Sequence, residues 1–214
     1  MSMEVVGEFL KSIVFSVIAI FGVNISTEEP RYQVIESLDP QTEIRLYAPR
    51  LAAEVSVSQS NDKKLESIAF GKLAAYIFGD NRLKSKIDMT APVETSASGQ
   101  KNKIAMTAPV DIKKDQQSLT MRFFMPTQYQ PETLPQPIDP DIKIIVIPEH
   151  ILAVKKYSGS ADEQAITRQQ EELAAKLAAT PWKIAGDFRS YFYNPPWTLP
   201  FLRRNEILVE VKKQ

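Results

Sequence analysis

Twice along this chain, residues that alternate in polarity give way to a helical stripe and then return to alternation. That doubled order constrains the fold more than any other feature. In the first half, Tyr32 to Leu38 and Glu43 to Val57 read as strands, the second interrupted at Ala48-Pro49, with Asp39-Pro40-Gln41 as the turn between them. Lys63 to Phe78 changes period, spacing Leu65, Ile68, Ala69, Leu73, Tyr76 and Ile77 along one helical face, and Gly79 is placed to stop the helix. Leu119, Met121, Phe123 and Met125 then alternate until Pro126. In the second half, Asp141 to Ile147 and Ile151 to Tyr157 flank Pro148, and Ser160-Ala-Asp-Glu163 forms a capping box. The helix it opens runs to Ala179 and buries Ile166, Leu173 and Leu177. After Pro181, Ile184 to Tyr193 reads as one strand, and Glu206 to Val211 as the last, with Ile207, Val209 and Val211 on one face. The expectation is an α+β fold made from a duplicated strand-strand-helix-strand-strand unit, with pseudo-repeats at about 31–126 and 141–212, two sheets closing on each other and two helices outside.

A smaller repeat lies inside the first half. Lys-Ile-Asp-Met-Thr-Ala-Pro-Val at 86–93 returns as Lys-Ile-Ala-Met-Thr-Ala-Pro-Val at 103–110. Each copy alternates, so the pair predicts two strands of an antiparallel hairpin, with Ser98-Gly99 as the turn signal in the polar stretch Glu94 to Asn102. Met89 and Met106 line its apolar face, and Met106→Ala, if that side chain is buried, should lower stability by about 2–5 kcal/mol in chemical denaturation.

Composition removes several function classes. Lys and Arg balance Asp and Glu at 26 each, so there is no global basic field to hold nucleic acid. The absence of cysteine excludes disulfides, thiolate metal sites and thiol nucleophiles, and the single histidine, His150, excludes a multi-histidine metal site within one chain. No Gly-x-Ser-x-Gly, Walker loop or Gly-x-Gly-x-x-Gly occurs. Residues 1–26 stand apart from the domain at 27–214, because Ser12 to Val23 is almost unbroken apolar sequence and 5–25 reaches the length of a membrane span if Glu8 and Lys11 are tolerated. An export signal or anchor, an interfacial or partner-binding helix, and a helix packed on the domain are the three readings. The first implies an exported, periplasmic or membrane-anchored protein, and the last leaves it cytoplasmic.

Six phrases in fixed order carry a family resemblance: Glu43-Ile-Arg-Leu-Tyr47, Tyr76-Ile-Phe-Gly-Asp-Asn81, the doubled Lys-Ile-x-Met-Thr-Ala-Pro-Val, Phe124-Met-Pro126, Tyr157-Ser-Gly159, and Tyr193-Asn-Pro-Pro196 leading to Arg203-Arg-Asn-Glu206. Over about residues 30–212 the chain resembles the SOUL haem-binding family, in its bacterial, export-associated branch. The resemblance implies a distorted antiparallel β-barrel from a duplicated unit with two helices packed against it. It also implies haem or a related tetrapyrrole as ligand, in an apolar slot between the first helix and the irregular loop before the last strand.

At the matching positions stand Phe70, Leu73, Ala74 and Ile77 on the helix and Trp197, Leu199 and Phe201 on the loop. Haem is an apolar plate bearing two carboxylates, so a slot of carbon side chains with a cation at its mouth suits it. Arg203 and Arg204 are candidate cations, although Glu206 offers at least one of them a structural partner, and Arg82 and Lys86 lie near the helix end. Where part of the family places a histidine against the iron, this chain has Leu46. His150, expected at an exposed turn, and Met89, Met106, Tyr47 and Tyr76 are the remaining donor types. The reading is reversible haem binding by hydrophobic contact without a histidine axial ligand, serving sequestration, transport or buffering. An enzyme of tetrapyrrole breakdown or metal removal, and a binding module for other apolar small molecules, are the alternatives.

Overall fold

The computed structural model describes residues 28–58, 65–88, 90–98, 118–194 and 198–214. In chain order its elements are β1 (Tyr32–Asp39), β2 (Thr42–Tyr47), β3 (Arg50–Ser58), α1 (Leu65–Ile77), β4 (Val93–Ser98), β5 (Ser118–Phe124), β6 (Ile142–Ile147), β7 (His150–Tyr157), α2 (Glu163–Ala178), β8 (Trp182–Ile184), β9 (Arg189–Phe192), a 3-10 turn (Pro200–Leu202) and β10 (Asn205–Lys213). The α+β class and antiparallel pairing are as expected. The described residues form two compact units, one drawn from 28–48, 90–92 and 150–214, the other from 49–88 and 93–149.

In the second unit the strand order is β4-β5-β3-β6, and every pair is antiparallel. Ala53 and Val55 face the same side as their partners Phe123 and Met121, and α1 covers that side with Ala69, Leu73, Tyr76 and Ile77. Their spacing is the helical stripe seen in the sequence. Gly79, at φ 118°, turns the chain out of α1 where a side chain would be strained. Pro131 to Pro140 is irregular but ordered: Leu134 enters the core, and the Tyr76 hydroxyl donates to the Pro135 carbonyl at 2.7 Å.

The first unit runs β1-β2-β7-β10-β9, with β8 paired to the far end of β10. Its core joins Ile44, Ala153, Ile207, Val209 and Val211 to Leu173 and Leu177 of α2. The strands of the two units share a pattern. In each unit the order runs from the strand after the helix, through the last strand of its half, to the strand before the helix, and is then extended by β6 or β2 from the other half of the sequence. The chain passes from one unit to the other at Ala48/Pro49 and at Glu149/His150, and residues 90–92 return briefly to the first unit.

Three local expectations need correction. The first copy of the doubled phrase is not a strand: residues 86–88 and 90–92 have no ladder, Ala91-Pro92 is a cis peptide, and β4 begins only at Val93. Pro92 has no N–H to give to a ladder. The strand instead uses Glu94 to Ser98, read as polar linker, because the side chain of Glu94 is buried against Arg122 of β5, which also holds Glu54 of β3. The second copy and Met89 lie outside the described residues, so Met106 does too. The N-cap of α2 is Asp162, which accepts from the Ala165 N–H at 2.8 Å, while the Ser160 hydroxyl donates to Asp162. Ile184 to Tyr193 is two strands, not one. Residues 185–188 step out of line where Gly186 lies so close to β10 that a Cβ there would sit 3.2 Å from that of Glu210.

Candidate functional site

The four helix positions divide by face. Leu73 and Ile77 are sealed in the core of their unit, whereas Phe70 is 42% exposed and Ala74 half-buried. Phe70 rests edge-on against Phe123, with ring centroids 5.3 Å apart, and shows its other side to solvent. Phe78, inside the expected helix but not among the candidate slot residues, is 66% exposed. Its N–H continues the helical ladder to the Ala74 carbonyl at 2.9 Å, so Phe70, Ala74 and Phe78 lie in one row at i, i+4 and i+8, about 12 Å long. The signal was that spacing. On α2, which holds the matching place in the other half, the exposed side carries Gln164, Arg168, Glu171, Glu172 and Lys176. α1 also exposes Glu66 and Ser67 in its first turn, but beyond them its row Phe70, Ala74 and Phe78 is apolar.

Of the loop positions, Trp197 lies outside the described residues. Leu199 is 40% and Phe201 69% exposed. They sit on a 3-10 turn that is well tied: Leu202 donates to the Leu199 carbonyl at 2.9 Å, Arg203 to that of Pro200 at 3.1 Å, and Gly159 to the same Pro200 oxygen at 2.9 Å. The Arg203 side chain is half-buried and its Nε donates to the Thr198 carbonyl at 2.8 Å, which gives it a role in holding the loop.

Two of the family phrases meet in a buried ionic cluster that hydropathy gave no sign of. Arg45 of β2 and Glu206 of β10 both have fully buried side chains and pair at 3.1 Å. Arg45 also donates to Glu43 at 2.7 Å and to the Tyr47 hydroxyl at 3.0 Å. Glu206 further accepts from the Tyr193 hydroxyl at 2.7 Å and from Arg204 at 3.1 Å, and Arg204 reaches Glu29 and lies over the Tyr193 ring at 3.7 Å. Burial, the largest single influence, lowers the Arg45 pKa, but the Glu206 carboxylate together with Tyr47 and Glu43 more than offsets this and the guanidinium is held charged. Burial, reinforced by Glu206, pushes the Tyr193 hydroxyl well above its ordinary value, so it stays protonated and donates. This cluster meets the expectation that one arginine of Arg203-Arg204 serves a structural network, and that arginine is Arg204.

Of the donor types named from the sequence, Met89 and Met106 lie outside the described residues. Leu46 is half-buried, Tyr47 and Tyr76 are buried, and His150 is half-buried as the first residue of β7, its ring stacked 6.2 Å from that of Tyr47. Among the described residues no three His, Cys, Asp or Glu side chains cluster as a metal site. The exposed rows are carbon, which suits contact with the face of a macrocycle.

The model of the family described as SOUL heme-binding protein matches residues 27–210. Heme-binding protein 2 of Mus musculus is 26% identical over 195 residues, covering 87% of both chains, and that of Homo sapiens is 26% identical over 197 residues, covering 88% of both. In fold the chain is similar to the crystal structure of the EcmrR C-terminal domain, with a TM-score of 0.58 at 10% identity over 86% of this chain and 99% of that one. The six phrases and a match that runs through nearly all the described elements give one conclusion: this chain belongs to the SOUL heme-binding family.

Proposed function

We propose that this protein binds haem or a related tetrapyrrole reversibly, by apolar contact and without a histidine axial ligand, to sequester, carry or buffer it. Membership of a haem-binding family is the observation that carries this reading. The exposed row Phe70, Ala74 and Phe78 supports apolar contact as the source of affinity, and Leu199 and Phe201 are further candidates on their own unit. Leucine at position 46 supports a site without histidine ligation. Haem here is cargo: the protein contributes carbon surface, and the iron keeps its own chemistry.

Titrating the purified chain with haemin should shift and sharpen the Soret band and quench tryptophan fluorescence, with saturation near one equivalent at micromolar concentration. Apohaem acceptors added afterwards should withdraw the ligand. No spectral change at micromolar haemin would end this reading, and a ligand that cannot be withdrawn would remove its reversible part.

The same reading extends to residues 5–25, taken as an export signal or membrane anchor. Among the described residues no helix is long and apolar enough to cross a membrane, and 5–25 lie outside them. Mass spectrometry of protein recovered from its native membrane and soluble fractions should find either a chain shortened near residue 26 or the intact chain in the membrane fraction. An intact chain recovered only in the soluble fraction contradicts both forms.

A further inference from the structure

Building on the tetrapyrrole reading, we propose that the turn of residues 79–86 is the carboxylate-binding end of the site. Arg82, Lys84 and Lys86 receive the carboxylates of an amphiphilic ligand whose flat apolar body lies along Phe70, Ala74 and Phe78.

The turn is built to hold one shape. Asn81 is fully buried, and its side-chain amide donates to the carbonyls of Tyr76 at 3.1 Å and Ser85 at 2.7 Å while its oxygen accepts from the Ser85 N–H at 3.2 Å. Arg82 donates its N–H to the Gln136 carbonyl at 3.0 Å, and Lys84 to that of Asn81 at 2.9 Å. Lys84 adopts φ 51°, a left-handed conformation that a lysine occupies only when its surroundings fix it. What this frame presents outward is Phe78, Arg82, Leu83, Lys84 and Lys86, with Leu83 68% exposed. An apolar row therefore ends in a rigid turn bearing three cations.

The electrostatics select the ligand class. None of the three side chains forms an ion pair with a described residue, whereas Lys72 on the same unit is held by Asp139 at 2.7 Å and Asp141 at 2.8 Å. Asp80 and Asp88 are exposed in the same stretch, so residues 78–88 hold three cations against two anions. That small excess suits one or two carboxylates on an apolar body better than a broad anionic surface such as a membrane. The end of a helix ordinarily repels anions through its unpaired carbonyls. Here those of Ala74, Ala75, Tyr76 and Ile77 are taken by the N–H groups of Phe78, Asp80, Gly79 and Ile87, with Asn81 also on Tyr76, which quenches that repulsion.

The test compares haemin with haemin dimethyl ester, which has the same macrocycle but no free carboxylate, on the full chain and on the variant Arg82→Gln/Lys84→Gln/Lys86→Gln. Wild type should bind haemin more tightly than the ester. The variant should bind haemin about tenfold more weakly, as three exposed pairs together imply, with ester affinity and thermal midpoint unchanged. Equal haemin affinity in variant and wild type overturns the assignment while leaving haem binding intact. Absence of haemin binding by wild type fails the underlying reading instead. Pelleting with phosphatidylserine vesicles that needs the three cations, alongside unchanged haemin affinity, also overturns it in favour of a membrane surface.

Discussion

Glu206→Ala should lower the folding stability by about 3–5 kcal/mol, the largest loss expected from any single polar substitution in this chain. The reason is what remains. Arg45 stays charged and fully buried with its main counter-charge gone, and the Tyr193 hydroxyl loses its acceptor. A partly exposed pair would lose far less, because water takes over when a partner leaves. Urea denaturation followed by circular dichroism should show the midpoint move strongly at nearly constant slope. A loss below about 1 kcal/mol would mean that Glu43, already 2.7 Å from Arg45, can carry the guanidinium alone.

The second large effect separates the two faces of α1. Leu73→Ala should cost about 2–5 kcal/mol, since it removes a wholly buried side chain from a packed core. Phe70→Ala should cost less stability, because nearly half of that ring already faces solvent, yet weaken haemin by roughly tenfold through lost apolar contact. Thermal midpoints and haemin titrations of the two variants side by side decide the matter. If Leu73→Ala folds and loses haemin while Phe70→Ala keeps it, the ligand lies on the core side of the helix.

Much of this architecture is legible in the chain because apolar alternation and helical spacing report which side of an element is buried. β1, β2, β3, β5, β7, β10 and the buried stripes of both helices follow from that signal alone. β4 does not, since its residues Glu94, Thr95 and Ser96 look like linker, and a buried glutamate is acceptable only because Arg122 stands opposite it. The same blindness hides the Arg45–Glu206 pair, whose members are 161 residues apart. Hydropathy assigns each charge to the surface, and only the fold reveals that two charges cancel. Of the candidate positions, helical spacing does not separate the two sides of α1, so the buried Leu73 and Ile77 stand beside the exposed Phe70, and the exposed Phe78 is not among them.

The exchange of outer strands between the halves has a consequence for synthesis. As the chain leaves the ribosome, β2 has no strand to pair with on its second side until β7 is made; Glu43 and Lys156, which join across that seam, are 113 residues apart. Neither half can finish early and wait as a closed module. Long-range closures of this kind fold slowly and leave open edges in the interval. Any truncated or stalled product ending before about residue 150 therefore offers the open side of β2 to a neighbouring chain, and the nascent protein depends most on chaperones over that stretch of translation.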